Sequence, residues 1–226
     1  MSLVAENVAT AVLLHHLMYC SARCKANPLT ASFATPLDAA LSGLLAMMEA
    51  RNTASNKTIV SGAARDYGLE VLTDLFVPIG QRLAAAHGGS RTAPGYLRIF
   101  GKSPSELANT PQWNQIAVFT TLQLALQDPE TPKSLGDDVK AFTAAFTALK
   151  TAIANDDSTE NQLVKAIGNV GKARVVALDA LATVDADLRK VFPRQRKKVA
   201  VFFPKVAKKA GKSGAAGAAD EPSAAA

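Results

Sequence analysis

Three side chains in the first helix-like run carry the donor types of a metal site. His16, Cys20 and Cys24 fall at i, i+4 and i+8, so successive turns put one imidazole and two sulfurs on a single face, with His15 adjacent. Zinc and copper take such ligands. Zinc sites, however, draw on two elements, and no CxxC or HxxxH partner stands elsewhere; His87 is the third and last histidine. The competing reading is a buried face, on which a free cysteine behaves as a small hydrophobe. The sequence favours burial, and no metal or cofactor is expected.

Catalytic chemistry finds little material. A Ser or Cys nucleophile needs a base and a group to orient it, and three histidines, two of them adjacent, supply this poorly. Gly88-Gly89 and the glycines from Gly211 to Gly217 match neither a Walker loop nor GxGxxG. Asp137/Asp138 and Asp156/Asp157 sit at expected helix starts, where acids complement the dipole. The chain reads as non-enzymatic, with no catalytic residue assigned. Between Gly88 and Pro111, Tyr96, Arg98, Phe100 and Lys102 alternate aromatic and basic side chains. The plainer expectation there is that Tyr96, Leu97, Ile99 and Phe100 plug the end of a bundle while Arg98 and Lys102 stay wet.

Charge is more informative. The net charge is +6, yet residues 1–188 hold 15 Lys/Arg against 17 Asp/Glu. From Arg189 to Lys212 there are ten Lys/Arg and no acid. So dense a segment of one sign attracts polyanions by counterion release, which is salt-sensitive and blind to sequence. Arg194, Arg196, Lys197, Lys198, Lys205, Lys208, Lys209 and Lys212 are the candidate nucleic-acid contacts. The last twenty or so residues are similar in composition to the Lys/Ala/Gly-rich tails of chromatin-type and nucleoid proteins, a likeness shared by many solubilising tails. No recognition helix stands out, so binding should be non-specific.

The elements that would position these residues are helices. Apolar content is mostly Ala, Leu and Val, which favours close helix packing. A first helix is expected over about 3–25, ended by Asn27-Pro28. A second starts at Thr35-Pro36 and runs to about Arg51. A third runs from Ser55 or Asn56 to His87, closed by Gly88-Gly89 and kinked or split near Phe76 by Pro78. Ser103-Pro104-Ser105-Glu106 forms a capping box. Thr110-Pro111, Ser134 to Asp137, and the Asn155 to Ser158 turn open three more helices, the last stopped by Phe192-Pro193. Only Lys198 to Phe203 hints at strand alternation.

The expected fold is therefore all-α, a bundle of about six helices. A shared order of elements reads as two pseudo-symmetric three-helix halves, 1–88 and 111–193, around a joint at 89–110. The alternative is an unrelated run of six helices. A basic and apolar segment at 194–205 docks through Val199, Val201, Phe202 and Phe203, and 206–226 is a disordered basic tail. Two cysteines make no disulfide framework. Neither a signal peptide nor an uncharged stretch of roughly 18 apolar residues is evident, so no membrane span and a cytoplasmic location are expected. The function expected is an interaction or assembly scaffold, self-associating as a homo-oligomer through apolar helix faces, whose basic segment contacts nucleic acid or another acidic partner. The alternative is a small-molecule- or metal-binding bundle, with ligands on inward faces.

Overall fold

The computed structural model describes residues 9–101, 103, 106–107 and 112–204, with the side chains of 112–114 left aside. Among the described residues there are six α-helices and no strand, so the all-α expectation holds. They are α1 (Thr10–Lys25), α2 (Ala34–Ala86), α3 (Pro94–Ile99), α4 (Gln112–Leu126), α5 (Gly136–Val191) and α6 (Arg196–Ala200), with 3-10 turns at Ala31–Phe33 and Lys133–Leu135. The expected start of the first helix and the tail from 205 onward lie outside the described residues.

Two helices are far longer than the sequence suggested. α2 runs 53 residues and α5 runs 56, so the breaks expected near 52–55 and 155–158 do not occur. Neither place contains proline or glycine. Asn, Ser, Thr and Asp disfavour a helix interior by only about 0.7 kcal/mol each or less, and packing overrides that. Ala54 is buried, and the Thr58 hydroxyl returns a bond to its carbonyl at 3.1 Å. Asp156 sits in mid-helix and is buried, so it is no cap; Asp137 and Asp138 do occupy the first turn of α5. α2 also continues through Pro78. Strand alternation at 198–203 is absent, since those residues form α6 and a turn.

The stop signals end helices where the sequence places them. Gly88 and Gly89 take φ of +70° and +84°, and the Gly89 N–H donates to the Ala84 carbonyl at 2.8 Å, closing α2 as a glycine C-cap does. α5 ends at Val191, just ahead of Phe192-Pro193. Ser103 and Glu106 exchange the reciprocal bonds of a capping box, at 2.8 and 3.2 Å.

The chain divides into two compact units that cut across the sequential halves: one joins 1–41 to 176–226, the other is 42–175. Within 42–175, α2 and α5 run antiparallel, since Ser61 meets Asp156, Gly68 meets Leu149, and Arg82 pairs with Asp138. The core of this unit gathers Phe76, Phe119, Phe142 and Phe146, with Phe76 and Phe119 centroids 5.5 Å apart. Tyr96, Ile99 and Phe100 of the joint are buried in it, as expected, but Leu97 is exposed. The other unit buries Leu13, Leu17, Cys20 and Cys24 of α1, Leu37 of α2, and Leu181, Val184 and Leu188 of α5.

The order short helix, 3-10 turn, long helix, short helix occurs twice. α4 starts 102 residues after α1 (Gln112 against Thr10), and α5 starts 102 after α2 (Gly136 against Ala34). After each short helix a threonine hydroxyl donates to the carbonyl six residues back at 3.1 Å: Thr30 to Cys24, and Thr131 to Ala125.

Candidate nucleic-acid interface

At the end of α5, Phe192-Pro193 stops the helix and Arg194 turns the chain with φ +66°, the left-handed region that disfavours a side chain. The reversal lets α6 fold back. Phe192 and Phe202 are both buried and stack with centroids 6.0 Å apart, while Val199 is buried beside them. The expected docking is therefore carried by Val199 and Phe202; Val201 stays exposed. Lys198 lies over the Phe192 ring at 4.2 Å, where the negative face of the aromatic attracts the ammonium.

This fold-back leaves a hollow of about 730 Å³ lined by Arg189, Phe192, Arg194, Gln195, Arg196 and Lys197, with Val199 and Ala200. Arg189 is anchored: its Nη2 lies 2.7 Å from a carboxylate oxygen of the buried Asp185, one turn earlier. Arg194, Arg196 and Lys197 are exposed and have no acidic partner among the described residues. Of the eight expected contact residues, the structure thus gathers Arg194, Arg196 and Lys197 around one hollow and places Lys198 on its aromatic support. Lys205, Lys208, Lys209 and Lys212 lie outside the described residues. Sequence reasoning left Arg189 and Gln195 out of the set. The Asp185–Arg189 pair, four residues apart on a helix, was the signal that could have singled out Arg189.

His16, Cys20 and Cys24 are all buried, and the His16 Nδ1 sits 2.8 Å from the Val12 carbonyl oxygen. The hydrogen bond between the two thiols, then burial and the nearby Asp185 carboxylate, push Cys20 up, while the same hydrogen bond lowers Cys24. Among the described residues no group of three or more His, Cys, Asp or Glu is placed to hold a metal ion. Arg98 pairs with Asp128, at 3.1 Å, and with Glu130, and Lys102 lies outside the described residues. One helix, within 31–86, is long and apolar enough to cross a membrane by length and composition. A core helix of a water-soluble protein meets the same criterion, so this helix does not by itself establish a membrane span.

No known protein family, curated protein or solved structure matches the chain.

Proposed function

We propose that the protein is a helical scaffold that binds nucleic acid through its phosphates, without sequence preference, using the hollow at the end of α5. The observation that supports this is the gathering of Arg189, Arg194, Arg196 and Lys197 around one concavity, three of them without an acidic partner among the described residues. Guanidinium groups match phosphate oxygens bidentately. The hollow's one aromatic ring, Phe192, is buried against Phe202 and covered by Lys198, so bases have nothing to stack on and the contact is to backbone. Lys205, Lys208, Lys209 and Lys212 follow in sequence and extend the same run of charge. The recurrence of element order supports a second part of the reading, that the chain arose by internal duplication.

The test is binding of a labelled DNA duplex and an RNA of equal length. Four phosphate contacts, at a slope of roughly −0.9 each, should weaken binding about 10²-fold between about 50 and 200 mM salt. Arg196→Ala and Lys197→Ala should each lower the slope by about one, whereas Lys165→Gln, an exposed change elsewhere, should leave it alone. Arg194→Gly separates binding from folding. It should lose one contact, yet relieve a left-handed strain of about 1 kcal/mol and raise stability. No binding at low salt, or binding with a flat salt dependence, would sink the reading.

A further inference from the structure

The hollow at the end of α5 is small for the charge around it. Its volume, about 730 Å³, is that of a small-molecule site, a class that runs from about 300 to 1,000 Å³. A duplex reaches such a concavity only with the phosphates at its edge. Three cations without an acidic partner among the described residues stand around it, Arg194, Arg196 and Lys197. A fourth, Arg189, is fixed. Its Nε donates to a carboxylate oxygen of the buried Asp185 at 2.9 Å, and its Nη2 lies 2.7 Å from the same atom. That guanidinium is positioned before any ligand arrives, so less freedom is lost on binding. No acid lines the hollow, and Phe192, Val199 and Ala200 are its apolar walls. A cleft of one sign with low-dielectric walls focuses its field on whatever enters.

We infer that the hollow takes a condensed phosphate chain, a linear triphosphate or longer, and holds it more tightly than a nucleic-acid strand with as many phosphates. This rests on the reading above only in treating the hollow as a phosphate site. Neighbouring phosphates of a condensed chain share one oxygen, whereas in nucleic acid a sugar separates them. The condensed chain therefore brings three phosphates into a space where a strand brings fewer, to meet the three cations that lack an acid. The two arginines among them, with Arg189, match its oxygens in pairs. A base would go unused, because the one ring in the lining is stacked on Phe202 and covered by Lys198. Sugars and bases thus fill room without adding contacts. Free polyphosphate and a nucleoside triphosphate both carry such a chain, and the lack of an open ring favours the free chain.

The experiment is titration calorimetry of the full chain, without divalent cations and at about 100 mM salt. The ligands are tripolyphosphate, ATP and a trinucleotide carrying a 5′-phosphate, each with three phosphates. Tripolyphosphate should bind one to one and at least about 10-fold more tightly than the trinucleotide. ATP should bind no more tightly than tripolyphosphate. Arg196→Gln, at an exposed position, should bring the affinities for tripolyphosphate and trinucleotide together, with helicity unchanged by circular dichroism. Lys165→Gln removes the same charge elsewhere and should leave their ratio alone. Changing Lys205, Lys208, Lys209 and Lys212 to Gln should leave tripolyphosphate binding intact, since so short a chain is held by the hollow. A trinucleotide that binds as tightly overturns the inference, as does loss of tripolyphosphate binding with the four lysines but not with Arg196. ATP bound about 10-fold more tightly than tripolyphosphate overturns it in favour of a nucleotide. If a labelled strand binds and tripolyphosphate neither binds nor displaces it, this inference fails alone. If tripolyphosphate binds and no nucleic acid does, only the function proposed above fails.

Discussion

Asp156 is the residue on which the α2–α5 pairing turns. Its carboxylate is 4% exposed, and it accepts from Ser61 at 2.8 Å and from Arg65 at 2.7 Å. A helix seam of small and polar side chains could slide by a turn at little cost; a buried polar contact of fixed geometry prevents this, as a single buried polar residue fixes register in coiled coils. Arg65→Ala strands the carboxylate and should cost on the order of 3 kcal/mol in urea unfolding. The double change Arg65→Ala, Asp156→Ala should cost less than Arg65→Ala alone, and a strictly additive pair would refute the coupling. A second carboxylate contributes to the response to acid. Lys25 foremost, then Ser21, hydrogen-bond Asp38 and hold its carboxyl below the ordinary 3.8. Its folded value therefore lies under its unfolded one, so the stabilisation is complete at neutral pH and disappears as pH falls through the folded value. The stability difference between the native chain and Asp38→Asn should shrink towards zero between about pH 5 and 2; a constant difference would refute it.

At the scale of elements, the sequence was legible where backbone chemistry punctuates it and misleading where it does not. Asn27-Pro28, Gly88-Gly89 and Phe192-Pro193 each mark a true helix end, because proline and glycine act on the backbone directly. The runs Asn52 to Asn56 and Asn155 to Ser158 look like turns by composition, yet both lie inside helices. Asp156 is there to meet Arg65, a partner 91 residues away, and no local window can report that. The basic cluster was equally legible as a run of charge. Its hollow was not, because the left-handed turn falls on Arg194 where a reader looks for glycine, and because the fold-back depends on Phe192 meeting Phe202.

At the scale of the molecule, neither compact unit is a continuous stretch of one sequential half. The unit of 1–41 and 176–226 needs both ends of the described chain, whereas 42–175 is closed by local turns and its own Phe core. Both cysteines belong to the first unit, Cys20 and Cys24, each with no exposed surface. Their burial makes the chain its own stopwatch. A thiol reagent can reach either sulfur only when α1 lifts away, so the rate of labelling measures the opening of one unit while the other, which has no cysteine, stays silent. Native protein should react at least 10³-fold more slowly than denatured protein, which should release two equivalents at once. Labelling as fast as a free cysteine in the absence of denaturant would mean that α1 is not held down at all.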